Sequence, residues 1–280
     1  MYLLLILLAI YLGIMLTVYF TQHYFFFRPE ILPPHFSFTY PFDFEERTFE
    51  MEDGGKINSL HFKVPNSRGL IYYFKGNSRS IKGWAKFAQD FISNGYDFFM
   101  MDYRGFGKST GKRTETRLYN DSQQLYKWLQ KEYSEEQIII YGRSLGSGIA
   151  ARIASWNHPR MLILDSPYFS FYHNIKRWAF ILPLKYILRY QIRTDQFITQ
   201  VEAPIYIIHG DKDRLIPISH SYRLKAIRPQ DIELMVIEGG GHNNLPSFPQ
   251  YHEYLYDLLE LAAVSQKVPI GDPHELNQNV

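Results

Sequence analysis

The run Ile138-Ile139-Ile140-Tyr141-Gly142-Arg143-Ser144-Leu145-Gly146-Ser147-Gly148 sets a β-branched apolar stretch directly against a G-x-S-x-G, and a helix-length stretch follows. Such a run reads as a strand buried on both faces, and passage through so short a turn into a helix belongs to a sheet covered by crossover helices. The turn forces its serine into a strained backbone. Glycines two before and two after are needed because a Cβ there would strike the neighbouring chain. The same geometry lifts the serine Oγ above the sheet. It also sets the N–H of Leu145 at a helix N-terminus, where unpaired amides and the positive dipole end can hold a developing oxyanion.

The rest of the chain repeats this grammar. Short apolar runs at Leu70 to Phe74, Tyr96 to Met101, Met161 to Leu164, Ile205 to His209 and Leu234 to Ile237 read as strands. Between and after them, Lys82 to Ser93, Leu118 to Tyr133, Leu145 to Trp156, Ser219 to Ile227 and Phe248 to Ala263 read as helices. Strand alternating with helix predicts an α/β fold with a mostly parallel sheet and helices on both faces. Two strand-like runs around Asp53-Gly54-Gly55 add a hairpin and an antiparallel edge. Tyr168 to Ile198 is too long for one crossover helix and reads as an insertion.

Met1 to Phe27 contains no charged side chain, and about 20 apolar residues at 1.5 Å each cross the hydrocarbon layer of a bilayer. The stretch lacks a basic start and a small-residue cleavage site, so it reads as a single-pass N-terminal transmembrane anchor and not as a signal peptide. Tyr19, Phe20, His23, Tyr24, Phe25, Phe26 and Phe27, followed by Arg28-Pro29, read as an interfacial aromatic belt. Arg28 and Arg47 lean the body slightly toward the cytoplasmic side, against Glu30, Asp43, Glu45 and Glu46 nearby.

Composition removes whole classes of chemistry. With no cysteine, a thiolate nucleophile, a disulfide and a thiolate metal site are all excluded. Thirty basic against 28 acidic side chains leave a net charge of +2, far from the field that nucleic acid binding needs. The G-x-G of Arg104-Gly105-Phe106-Gly107 lacks the third glycine and the early position of a dinucleotide fingerprint, so no cofactor is expected, and no metal motif is present.

A serine hydroxyl needs a base that takes its proton and returns it to the leaving group. His242, in Gly239-Gly240-Gly241-His242-Asn243-Asn244, follows the last strand on the carboxyl edge where Ser144 also lies. His209 ends a strand inside an apolar run and reads as a core residue. The orienting carboxylate is expected from Asp213, with Asp211 and Asp165 as competitors, which gives the chain order Ser144, Asp213, His242. The loop Phe74-Lys75-Gly76-Asn77-Ser78 closes the first parallel strand, and the backbone N–H of Asn77 is the candidate second oxyanion donor.

Inside the insertion, Lys185, Arg189 and Arg193 recur every four residues after Pro183, among Trp178, Phe180, Ile181, Leu182, Ile187 and Leu188. That spacing predicts one basic face on a cap helix, suited to lie over the site and lean on anionic headgroups.

Taken together, Lys75-Gly76-Asn77, Asp102-Tyr103-Arg104-Gly105-Phe106-Gly107-Lys108-Ser109, Gly142-Arg143-Ser144-Leu145-Gly146, Gly210-Asp211-Lys212-Asp213 and Gly241-His242 resemble the alpha/beta-hydrolase superfamily, in particular its membrane-anchored, serine-aminopeptidase-like members. The resemblance implies an eight-stranded sheet, a Ser144, Asp213, His242 triad with Asn77 and Leu145 as oxyanion donors, and hydrolysis of an ester, thioester or amide without metal or cofactor. It departs at Lys75, where the family usually has histidine. Some relatives with a similar anchor remove fatty acyl groups from proteins or lipids. The expected organisation is an anchor over 1–27, a Pro-rich connector over 28–44, a hydrolase domain over 45–264 with a cap insertion over 168–198, and a polar tail over 265–280. The expected function is hydrolysis of acyl esters or thioesters, lipid or lipidated protein being the favoured substrate. An aminopeptidase-like amide hydrolase and an inactive membrane-tethered binding scaffold are the alternatives.

Overall fold

Tyr2–Phe26 forms one helix, α1, whose apolar side chains stand exposed from Leu3 to Ile14. It is long and apolar enough to cross a membrane. The computed structural model describes residues 1–264, so the expected polar tail lies outside the described residues.

Behind α1, residues 28–43 contain no helix and run extended along the body, where Leu32 and Phe38 are buried. The sheet then begins with the expected hairpin of β1 (Phe44–Glu50) and β2 (Lys56–Phe62). β3 (Leu70–Phe74) leads through α2 (Ile81–Trp84), a 3-10 turn (Ala85–Phe87) and α3 (Ala88–Ile92) to β4 (Asp97–Met101). The expected single helix over Lys82 to Ser93 is therefore split. After α4 (Glu115–Leu129) come β5 (Ile138–Arg143), α5 (Leu145–Ala154) and β6 (Met161–Asp165). The insertion holds three short helices, α6 (Phe171–Lys176), α7 (Leu184–Ile187) and α8 (Thr194–Phe197). β7 (Ile205–Gly210), α9 (Ser219–Ile227), β8 (Ile232–Ile237) and α10 (Pro249–Val264) complete the described chain.

The eight strands lie in the order β1-β2-β4-β3-β5-β6-β7-β8. From β4 to β8 every pairing is parallel, whereas β2 runs against both of its neighbours, so the sheet is mixed. Alternation along each strand divides the core into two layers. Tyr72, Phe74, Ile140, Leu162 and Ile207 face α4 and α5, while Ile71, Tyr73, Ile139, Ile163 and Ile208 face α3 and α10. Both layers converge on the carboxyl ends of β3, β5, β7 and β8, which carry the site.

Candidate active site

Ser144 stands between β5 and α5 at φ 53° and ψ −118°, a strained conformation for a residue with a Cβ. Its N–H donates to the carbonyl of Asp165 at 2.9 Å, and its carbonyl accepts from the Ser147 N–H at 3.0 Å and hydroxyl at 2.7 Å. The strain is thus held from both sides. A Cβ on Gly146 would come within 2.1 Å of the Phe74 carbonyl oxygen, so glycine is what lets α5 start against the end of β3.

His242 Nε2 lies 2.9 Å from Ser144 Oγ, and His242 Nδ1 lies 2.6 Å from Asp213 Oδ2. With the carboxylate accepting from Nδ1–H, Nε2 is the acceptor for the serine proton. The structure therefore brings Ser144, His242 and Asp213 into one hydrogen-bonded line. Asp213 Oδ1 accepts from the N–H groups of Leu215 and Ile216, each at 2.8 Å. Burial works against the charge of Asp213, yet hydrogen bonds from His209, His242 and the Ile216 amide hold its carboxyl well below the usual carboxylate range. His209 is fully buried and engaged by Ser221 Oγ at 2.6 Å and the Ile216 carbonyl at 2.8 Å. It shapes the acid loop.

The two competing carboxylates are occupied elsewhere. Asp165 is buried and accepts from Tyr141 and Ser166 hydroxyls, with Arg143 Nε at 3.3 Å. Asp211 Oδ1 accepts from the Gly239 N–H at 2.7 Å and so ties the acid loop to the histidine loop.

The Asn77 loop packs against the serine, since a Cβ on Gly76 would lie 3.8 Å from Ser144 Cβ. Lys75, which departs from the family pattern, is fully buried. Its Nζ donates to the Arg79 carbonyl at 3.1 Å, lies 3.4 Å from Asp102 Oδ1 and sits 3.7 Å from the Phe106 ring centroid. The Lys75 carbonyl accepts from the Tyr103 hydroxyl at 2.8 Å. Burial pushes the lysine down and Asp102 up, and each is opposed by the charge of the other. Lys75 thereby stitches both ends of the loop together.

The same loop is laced to the end of α1. The Arg28 N–H donates to the Asn77 carbonyl at 2.8 Å, the Arg79 N–H to the Arg28 carbonyl at 3.0 Å, and Asn77 Nδ2 to the Phe26 carbonyl at 3.0 Å. Phe27 is 1% exposed and Phe26 packs on Phe171, so these two rings of the expected aromatic belt belong to the body instead. Phe20, Tyr24 and Phe25 remain exposed.

The expected basic cap face does not form. The helix α7 stops at Ile187, where Gln22 of α1 donates to the Ile187 carbonyl at 2.9 Å and accepts from the Arg189 N–H at 2.9 Å, and Glu115 accepts from the Gln191 and Ile192 N–H groups. Lys185 and Arg189 point to solvent, Arg189 beside the Tyr19 ring, while Arg193 is bound by Asp195 at 2.7 Å and 2.9 Å. Sequence reasoning missed Gln22, Asp102 and Arg143. An amide in an otherwise apolar helix was the signal for Gln22, and the buried cation inside the G-x-S-x-G was the signal for Arg143.

An eight-stranded sheet with a serine elbow at its carboxyl edge defines the alpha/beta-hydrolase class. The chain belongs to this family: it is 30% identical over 216 residues to human alpha/beta hydrolase domain-containing protein 17B, covering 76% of this chain and 74% of that protein. The 17C protein of mouse is 31% identical over 199 residues, covering 70% of this chain and 61% of its own length. The chain thus spans about three-fifths of the 17C relatives. A family model described as serine aminopeptidase, S33, matches residues 65–196, and one described as alpha/beta hydrolase fold matches residues 164–249. Among solved structures, the Pyrococcus furiosus esterase Pf2001 shares the fold with a TM-score of 0.65 at 20% identity, covering 85% of this chain and 98% of that one.

Proposed function

We propose that this hydrolase is a membrane-tethered serine esterase or thioesterase that works on lipid-derived acyl groups. Ser144 Oγ attacks the acyl carbonyl as His242 Nε2 takes its proton. Asp213 holds the imidazole, and the backbone N–H groups of Leu145 and Asn77 stabilise the tetrahedral oxyanion. The carbon–oxygen or carbon–sulfur bond then breaks, and His242 gives the proton to the leaving atom. Water, deprotonated by His242, attacks the acyl-serine and releases the carboxylic acid. The observation that carries this reading is the Ser144–His242–Asp213 line at 2.9 Å and 2.6 Å.

The membrane half of the reading rests on α1 and on the cap beside it. The Tyr11 hydroxyl donates to the Ile181 carbonyl at 3.2 Å, so the cap reaches along α1 to about its midpoint. If α1 crosses a hydrocarbon layer, the exposed Trp178, Phe180 and Ile181 enter the same layer, and Lys185 and Arg189 supply cations close by. Substrates with bilayer-resident acyl chains fit that placement. An aminopeptidase would need a carboxylate near Ser144 for the substrate ammonium, and the adjoining pocket presents Arg79, Lys86 and Arg143 instead.

A fluorophosphonate should label the wild-type chain and spare Ser144→Ala. Asp213→Asn should lower acyl-ester turnover by about 10⁴-fold while leaving the fold intact, as tautomer loss does in other triads. Equal labelling of wild type and Ser144→Ala would remove the catalytic assignment.

A further inference from the structure

A pocket of about 380 Å³ beside the triad is lined by Ser78, Arg79, Trp84, Lys86, Arg143 and Asn243, and no carboxylate lines it. Its position relative to the chemistry follows from its neighbours. Asn243 follows His242 in the chain, and a Cβ on Gly76, 3.8 Å from Ser144 Cβ, would also come within 2.9 Å of the Trp84 ring. In a serine hydrolase the leaving group departs on the side of the histidine that protonates it. The pocket therefore adjoins the leaving-group side.

Its charge is unusual for a wall so close to a nucleophile. Arg143 is 4% exposed, is held from behind by Asp165 at 3.3 Å, and donates from Nη2 to the His242 carbonyl at 3.4 Å. The Arg143 guanidinium is packed between the Phe87 and Trp84 rings, at 5.0 Å and 5.8 Å from their centroids, and beside Tyr73. A permanent cation so poorly hydrated, on a wall that also carries Arg79 and Lys86, favours an anion in the space it faces. Arg79 is fixed at its backbone by Arg28 and Lys75, and the side chains of Arg79 and Lys86 are exposed at the pocket rim. Two carboxylates from the packed elements face Arg143: Asp165 at 3.3 Å, and Asp90, which also lies 3.8 Å from His252.

We infer that this pocket binds a phosphate or carboxylate on the leaving group, so that the preferred substrates are acyl esters or thioesters of an anionic alcohol or thiol. This rests on the esterase reading above. The hydrolysis balances as before: water supplies hydroxyl to the acyl group, and the anionic alcohol or thiol leaves with the proton from His242.

The test uses the full chain in a neutral detergent and two hexanoyl esters, of glycerol 3-phosphate and of glycerol. The kcat/KM ratio of the anionic to the neutral ester should be about tenfold or more, and Arg79→Gln/Lys86→Gln should lower that ratio about tenfold. A wild-type ratio near one, or a ratio unmoved by the double substitution, overturns the inference while fluorophosphonate labelling of Ser144 keeps the esterase reading standing. Should Ser144 not be labelled, the esterase reading fails separately. Calorimetric titration of glycerol 3-phosphate into Ser144→Ala then reads the pocket alone. Affinity about tenfold weaker after Arg79→Gln/Lys86→Gln supports the anion site, and equal or absent binding overturns it.

Discussion

At Asp213 several hydrogen-bond donors meet one buried carboxylate, and the resulting depression of its pKa has a direction in pH. A carboxyl that titrates lower in the folded chain than the ordinary value of about 3.9 contributes stability that is fully present above that value. As pH falls toward the folded value, the unfolded chain binds more protons and the contribution is lost. Urea midpoints should therefore fall more steeply from about pH 4 downward in the wild type than in Asp213→Asn. A steeper fall in the variant would contradict the hydrogen-bond account. Lys75 teaches a different point about single residues. The departure from histidine was visible in the sequence, but its consequence was not, because Asp102 and Tyr103 arrive from the loop after β4. The ammonium offsets its desolvation with one carboxylate, one carbonyl and two aromatic faces, those of Phe106 and Tyr103.

At the level of elements, periodicity placed most strands and helices, although the helix expected over Lys82 to Ser93 is broken by a 3-10 turn at Ala85–Phe87. β3 and α9 carry the bounds that their apolar runs and flanking turn residues suggested, and β5 with α5 frames Ser144 as the G-x-S-x-G required. The cap is where local pattern was insufficient. A four-residue repeat of cations is consistent with a helix, yet Gln22, 165 positions away from Ile187, and Glu115 of α4 bind groups that such a helix would have used. No window over the insertion contains that information. Gln22→Leu should leave the Ile187 carbonyl and the Arg189 N–H unpaired, at about 1–3 kcal/mol each. The expected readout is trypsin cleavage at Lys185 and Arg189, about tenfold faster in the variant than in the wild type. Unchanged cleavage would mean that α1 does not hold the cap.

For the molecule as a whole, the sequence suggests an anchor, a connector and a catalytic body in series, whereas the described contacts join them laterally. Phe27 enters the same core layer as Phe74 and Leu145, and the Arg28 backbone pairs with the loop that carries Asn77. Phe27→Ala should then cost the catalytic body about 3–5 kcal/mol, while Phe25→Ala, at an exposed ring two residues earlier, should stay within about 0.5 kcal/mol. Urea unfolding followed by tryptophan fluorescence separates the two, and equal effects would detach α1 from the folding unit.

That lateral joining leaves no slack between the apolar rod and the loop that carries Asn77. If α1 lies in a bilayer as proposed, a swivel would absorb any tilt that lipid imposes on it. The Phe26, Arg28 and Arg79 bonds would instead pass it to the Asn77 loop. On that reading the heading of the rod would set the direction in which the Ser144 site opens, and bilayer thickness would become a variable of the site and not merely of its address.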